Sequence, residues 1–197
     1  MYRNLAPFWQ GEEGFGALER LTLFRGLDPQ AESAVPGLPD DYVAARFYFS
    51  DAFPDTPANR ACAKAIIETA AQRVPVVVVG SGLRVDDHAD LAPTRASGVT
   101  VMTPCDSPER NLAVQSAVIG RARGFVGTYG GLSYLAPFYG VPTVAFYSTR
   151  AFQLHHLHVA QWALERLGGG TVTALDVGQG HLVHAATAGL AAPSSRG

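Results

Sequence analysis

The chain has 197 residues and a formal net charge of −2, with 47% hydrophobic and 16% charged residues. This length and composition provide for one domain with a large buried core and exclude a globally disordered chain. The slight negative charge, without any basic cluster, argues against a nucleic-acid-binding protein.

Three further features of the sequence bear on the cellular compartment of the protein. Two cysteines, Cys62 and Cys105, are too few for a disulfide framework. The amino terminus lacks the apolar core of a signal peptide. The longest strongly apolar run, residues 74–79, has the length of a strand and is too short to span a bilayer. We therefore expect a cytoplasmic protein without a membrane span.

Residues 1–41 contain many glycines, prolines and acidic residues and are predicted to be an extension or linker. From residue 42 the sequence alternates between strand-like and helical segments. The predicted strands are residues 42–49, 75–79, 99–102, 124–127, 142–147 and 171–177. Thr56-Pro57 and Ser107-Pro108 each combine an N-cap with a proline at the first helical position. We predict a domain over residues 42–185 and a flexible tail over residues 186–197.

This alternation predicts a doubly wound, Rossmann-like α/β fold, with a six-stranded parallel sheet and helices on both faces. In the common strand order 3-2-1-4-5-6, the first and fourth strands are neighbours at the switch point of the topology. The loop after the first strand contains Ser50, and the loop after the fourth begins at Thr128. Both loops should border one crevice. The sequence has neither the G-x-G-x-x-G fingerprint nor a P-loop.

The segment from Gly127 to Gly140 reads as a glycine turn followed by a short helix. Gly130 and Gly131 would let backbone N–H groups approach a ligand closely, and Ser133 would lie in the first helical turn. Such a helix end attracts phosphate through its free donors and its dipole. The alternative is a turn that joins two core elements and binds no ligand.

Arg46 lies in an otherwise apolar strand that leads to the crevice. Its guanidinium either binds a diphosphate, whose oxygens it matches, or pairs with an acidic residue such as Asp51.

Two polar clusters have the residue types of metal ligands. Asp86-Asp87-His88, with Asp90 nearby, is either a metal site or a solvated loop, and consecutive residues rarely point at one ion. The run from His155 to His158 either binds metal or contacts a ligand beside the crevice. We predict no metal.

Residues 113–148 resemble the carboxyl-terminal half of glycosyltransferases with the two-domain GT-B fold, and heptosyltransferase-like and related bacterial sugar transferases in particular. The resemblance is carried by Phe125-Val-Gly-Thr128, Tyr129-Gly-Gly131, Leu132–Tyr139, Gly140-Val-Pro-Thr143 and Val144-Ala-Phe-Tyr147. Two positions depart from the pattern. Tyr129 stands where heptosyltransferases commonly have Asp, and Tyr134 stands where they commonly have His.

The resemblance implies a nucleoside-diphosphate sugar as donor substrate, with no metal or other cofactor, and transfer of the sugar to an acceptor hydroxyl. The turn would hold the diphosphate, and the segment that starts at Met102 would lie near the base. The resemblance and the predicted topology together predict the following donor-binding residues: Arg46, Ser50, Met102, Asn111, Thr128, Tyr129, Gly130, Gly131, Leu132, Ser133 and His155.

In two-domain relatives the acceptor site, and usually the catalytic base, belong to the amino-terminal domain. No catalytic residue is therefore assigned in this chain, and we expect either a partner that supplies the acceptor domain or a homo-oligomer. Two other functions use the same half-site. One is a non-catalytic nucleotide-sugar-binding module or partial chain that needs a partner, and the other is a GT-B-like nucleotide-sugar epimerase.

Overall fold

The computed structural model describes residues 14, 16, 23–29, 35–80, 89–92, 96–151 and 154–192. Its strands are β1 (Val43–Arg46), β2 (Tyr48–Phe49), β3 (Val76–Val78), β4 (Ala89–Asp90), β5 (Val99–Val101), β6 (Gly124–Thr128), β7 (Thr143–Tyr147) and β8 (Val172–Asp176). Its helices are α1 (Pro57–Ala71), α2 (Pro108–Arg121), α3 (Gly131–Phe138), α4 (Leu154–Leu167) and α5 (Gly180–Leu190). Within these ranges no helix has the length and apolar content needed to cross a membrane.

Six strands form one parallel sheet in the order β5-β3-β1-β6-β7-β8. Counted along the chain, this is the order 3-2-1-4-5-6, so the predicted doubly wound sheet is confirmed. Strands β1 and β6 lie side by side, from the pair Val43 and Gly124 to the pair Arg46 and Gly127. The switch point is therefore between these two strands.

Helices cover both faces of the sheet. On one face Val43 and Ala45 of β1 belong to a core cluster with residues of α1 and α5. On the other face Ala44 belongs to a cluster with residues of α2 and α3. This alternation along β1 follows the two-residue period of a strand. Helix α4 packs on the second face, where Leu157 and Leu164 cluster with Ala145 of β7.

Side chains define where two of these helices begin. The Thr56 hydroxyl accepts the Asn59 N–H at 3.1 Å, and the Ser107 hydroxyl accepts the Arg110 N–H at 3.2 Å. Both predicted N-caps are confirmed. Each helix that follows a sheet strand starts at the carboxyl edge of the sheet, so its free N–H groups face that edge.

The first predicted strand, residues 42–49, is broken in the structure. Strand β1 ends at Arg46, and β2 pairs antiparallel with β4 in a separate two-stranded ribbon. The residue between them, Phe47, is buried against Phe53 and Phe146, with ring centroids 6.1 and 6.0 Å away. The chain thus turns out of the main sheet around a buried ring. We call β2 and β4 together the β2–β4 ribbon.

Part of the predicted extension packs on the domain. Phe24 stacks on Phe138 with ring centroids 6.2 Å apart and meets Trp162 edge-on at 5.9 Å. The N–H of Leu27 donates to the Phe138 carbonyl at 2.7 Å. Phe24 and Leu27 therefore contact α3, and Phe24 also contacts α4.

At the other end of the chain, helix α5 continues to Leu190. Thr187 and Ala191, which lie beyond the predicted boundary at residue 185, are buried. That boundary falls inside the helix, and the division of the chain into domain and tail stays a prediction.

Candidate functional site

The glycine turn lies between β6 and α3 at the switch point. Gly130 has φ 151° and ψ −158°, a backbone conformation that is essentially restricted to glycine. Gly131, the first residue of α3, is exposed, and a Cβ placed on it would have no atom within 4 Å. The start of α3 therefore opens to free space at the carboxyl edge of the sheet.

Ser133 closes this turn from the inside. Its fully buried hydroxyl accepts the Gly130 N–H at 3.0 Å and donates to the Gly130 carbonyl at 2.7 Å. Ser133 was predicted to take part in diphosphate binding; its hydroxyl is engaged by the Gly130 backbone, and its role in binding stays a prediction. Leu132, half-buried against the core, has its N–H at the second helical position, which has no partner within the helix.

Tyr48 also belongs to this turn, although the sequence did not single it out. Its hydroxyl lies over Gly130, so that a Cβ on Gly130 would overlap it. It donates to the Tyr129 carbonyl at 3.4 Å. Burial raises the pKa of Tyr48, while the Arg46 guanidinium and the Gly131 N–H, which bonds to the hydroxyl oxygen, oppose the shift. Tyr48 thus remains a neutral phenol that covers one side of the turn.

Thr128 fastens the β2–β4 ribbon to the end of β6. Its side-chain hydroxyl accepts the Tyr48 N–H at 3.1 Å and donates to the Tyr48 carbonyl at 2.7 Å. Thr128 is 1% exposed. The hydroxyl of Thr128 thus bonds to the ribbon, and its predicted contact with the donor stays a prediction.

Arg46 forms an ion pair beside the turn. Its Nη2 lies 3.3 Å from Oδ1 of Asp90, and both side chains are largely buried, at 17% and 25% exposed. The guanidinium also lies over the Tyr48 ring, 5.5 Å from the centroid. Of the two interactions considered for Arg46, the ion pair is present, with Asp90 as the partner in place of Asp51.

A pair of tyrosines joins the turn to α4. The Tyr134 hydroxyl donates to the Tyr129 hydroxyl, and the two rings meet edge to face at 5.4 Å. Burial raises the pKa of both phenols. The Leu157 N–H, in the first turn of α4, also bonds to the Tyr129 hydroxyl oxygen and opposes the shift there. Both hydroxyls therefore act as neutral hydrogen-bonding groups.

Two histidines, His155 and His156, precede Leu157 in the first turn of α4. His155 is exposed and His156 is half-buried. Burial lowers the pKa of His156, and the neighbouring His155 lowers it further. Leu157, two residues after His155, is the residue of this helix start that meets Tyr129, and contact of His155 with the donor stays a prediction.

Met102 and Asn111, which were predicted near the base, follow β5, and β5 lies on the opposite side of β1 from β6 and the glycine turn. Met102 extends β5, and its N–H donates to the Val78 carbonyl at 2.9 Å. Asn111 is buried, and its Oδ1 accepts the Cys105 N–H at 3.1 Å. Ser50 exchanges two backbone hydrogen bonds with Phe53, at 3.1 and 3.0 Å. These contacts shape the loops of the carboxyl edge, and the role of these three residues in donor binding stays a prediction.

The acidic cluster Asp86-Asp87-His88 lies outside the described residues. In the part of the chain that the structure describes, no three His, Cys, Asp or Glu side chains are grouped so that they could hold a metal ion.

Two cavities lie away from the turn. One of about 470 Å³ is at the carboxyl end of α4, where Gly168, Gly169 and Gly170 lead into β8. The other, of about 200 Å³, lies between α1 and α5 and is lined by apolar residues together with Cys62 and His184. The second cavity reaches the carboxyl edge of the sheet at Val177 and Gly180, but neither cavity is lined by a residue of the glycine turn.

No protein-family model and no curated protein matches the sequence. Among solved structures, the chain is similar to a crystal structure described as the glycotransferase of kitacinnamycin. The identity is 17% and the TM-score is 0.46, and the alignment covers 82% of this chain and 37% of that one. The chain spans little more than a third of that protein. The likeness is one of fold and carries nothing about substrate.

Proposed function

We propose that this chain is the donor-binding domain of a nucleotide-sugar-dependent glycosyltransferase of the GT-B type, heptosyltransferase-like or related to those enzymes, in the cytoplasm. The observation that carries the proposal is the exposed start of α3 at Gly131, which opens to free space at the switch point between β1 and β6. Ligands of open α/β sheets bind at this place, and a helix amino terminus favours a diphosphate.

In this proposal the diphosphate lies over Gly131 and approaches the N–H of Leu132. Arg46 supplies positive charge from the end of β1, and His155 contacts the donor from the start of α4. During transfer, an acceptor hydroxyl attacks the anomeric carbon, and the bond from that carbon to the diphosphate oxygen breaks. The domain contributes by stabilising the negative charge on the departing nucleoside diphosphate. The acceptor and the base come from an amino-terminal domain or a partner.

The tyrosine pair bears on the donor sugar. Tyr129 and Tyr134 are bonded to each other, and burial keeps both neutral. They provide neither the carboxylate nor the imidazole that heptosyltransferases commonly have at these positions. This favours a sugar other than heptose. It also favours a second candidate function, a nucleotide-sugar-binding module without transferase activity.

Calorimetry of the purified chain with UDP, GDP, ADP, CDP and dTDP tests the proposal. We expect one of them to bind, and we expect Gly131→Val to abolish that binding because its side chain fills the space that the diphosphate occupies. Gly180→Val is the matched control, since Gly180 is also exposed, begins α5 and has open space at its Cβ position. Failure of all five to bind wild type at millimolar concentration would overturn the proposal.

Release of the sugar from its nucleotide distinguishes a glycosyltransferase from a nucleotide-sugar-binding module. A transferase should consume the matching nucleotide sugar when an acceptor and the partner domain are supplied, whereas a binding module should return it intact. Product analysis by mass spectrometry reads out this difference.

A further inference from the structure

We propose that the β2–β4 ribbon is an autoinhibitory strap, which holds the Tyr48 hydroxyl on the glycine turn and must move before a phosphate can reach the Gly131 N–H. This inference rests on the proposed function, because the turn must bind a phosphate-bearing ligand for the strap to inhibit anything. Tyr48 and Asp90, on which it depends, are not among the predicted donor-binding residues.

The Tyr48 hydroxyl already holds the position of a ligand oxygen. It bonds to the Tyr129 carbonyl at 3.4 Å and lies over Gly130, beside the Gly131 N–H, which is the first N–H of α3. Its oxygen also fills the space above Gly130. A phosphate oxygen that approaches the same N–H therefore competes with a phenol that is part of the protein.

The strap is held by its own strand pairing and by two sets of contacts to the main sheet. Thr128 bonds both backbone groups of Tyr48, at 3.1 and 2.7 Å. Strand β2 pairs with β4 through Tyr48 and Asp90. Asp90 in turn holds Arg46, whose guanidinium lies over the Tyr48 ring. The cation predicted for the diphosphate is thus engaged by the same ribbon that covers the turn.

The strap has a direct consequence for affinity. If it competes with the ligand, wild type binds a diphosphate more weakly than a protein whose Tyr48 lacks its hydroxyl. One hydrogen bond contributes a modest net free energy, so Tyr48→Phe should tighten binding by roughly two- to tenfold. Tyr48→Ala removes the ring as well and should tighten it at least as much.

The test is a titration with inorganic pyrophosphate, followed by NMR at the Gly131 amide. Tyr48→Phe should shift this amide before any ligand is added and should then lower the Kd. Thr128→Val, which cuts the contact between ribbon and β6, should speed hydrogen exchange at Tyr48 and lower the Kd in the same direction.

Tyr42→Phe is the matched control. The Tyr42 hydroxyl is also bonded to a backbone carbonyl, that of Val118 at 2.6 Å, but it lies beneath α2. Its removal should leave the Kd unchanged.

The outcomes separate the strap from the donor site. Binding by wild type with an equal or weaker affinity in Tyr48→Phe would overturn the strap and leave the donor site standing. The absence of pyrophosphate binding in wild type and in every variant would overturn both.

Discussion

Gly130 lets the chain pass from β6 into α3. Its φ of 151° lies in a region that other residues rarely adopt, and a Cβ there would overlap the Tyr48 hydroxyl. We expect Gly130→Ala to lower the free energy of unfolding by roughly 2–4 kcal/mol, since it combines backbone strain with a steric clash. Urea denaturation followed by circular dichroism measures this loss.

The control for this change is the adjacent glycine. Gly131→Ala adds the same methyl group where nothing lies within 4 Å. Its effect should stay within about 0.5 kcal/mol. Equal losses in the two variants would show that neither the φ of Gly130 nor the hydroxyl of Tyr48 constrains the turn.

The same turn shows what a sequence can reveal about single residues. Two consecutive glycines before a short helix were enough to locate the turn at the switch point. The direction of the Ser133 hydroxyl was not predictable, because a hydroxyl in the first helical turn can face a ligand or cap the backbone. In the structure the Ser133 hydroxyl bonds to the N–H and the carbonyl of Gly130 and so caps the backbone. Tyr48 reaches the turn from a strand about eighty positions earlier, which no local pattern encodes.

At the scale of elements, the alternation of strand-like and helical segments and the helix N-caps were sufficient to predict most of the fold. Apolar runs separated by helical segments predicted the sheet, and Thr56 and Ser107 marked two helix starts. The break at Phe47 was not predictable, because the aromatic run continues through Tyr48 and Phe49 without interruption. Their pairing with Ala89 and Asp90, and the bonds of the Tyr48 backbone to the Thr128 hydroxyl, draw them out of the sheet. Such pairing over forty positions is a tertiary effect that overrides local strand preference.

The contact between the amino-terminal segment and α3 and α4 gives a prediction at this scale. Phe24 is half-buried between Phe138 and Trp162. We expect Phe24→Ala to lower the free energy of unfolding by about 1–2 kcal/mol, through lost apolar burial and two lost ring contacts. Leu23→Ala is the control, because Leu23 is 77% exposed and its truncation should change stability by less than about 0.5 kcal/mol. Urea unfolding of both variants measures these changes. An unchanged free energy of unfolding in Phe24→Ala would contradict a stabilising role for this segment.

At the scale of the whole molecule, the six-stranded sheet has two halves, which meet at one strand pair. Strands β5, β3 and β1 form one half, and β6, β7 and β8 form the other. The residues proposed to bind the donor are divided between them, with Arg46 at the end of β1 and Gly131 just beyond β6. The geometry of the site therefore depends on how closely β1 and β6 approach each other.

Gly127 sets this approach. It pairs with Arg46 across the β1–β6 junction, and a Cβ on Gly127 would overlap the Arg46 carbonyl oxygen. The overlapped atom is backbone, so relief requires the two strands to separate. We expect Gly127→Ala to cost roughly 3 kcal/mol or more and to broaden the unfolding transition, since the halves lose their shared core contacts.

Urea denaturation by far-UV circular dichroism measures both effects, with Gly189→Ala as control. Gly189 lies within α5 with open space at its Cβ position, so this variant should gain roughly 0.5–1 kcal/mol through its higher helix propensity. If the junction also positions the donor site, Gly127→Ala should lose nucleoside-diphosphate binding under conditions where it remains folded, while Gly189→Ala keeps it. If Gly127→Ala unfolds with the free energy of wild type, strands β1 and β6 can separate without cost. The claim that the site geometry depends on their close approach would then be wrong.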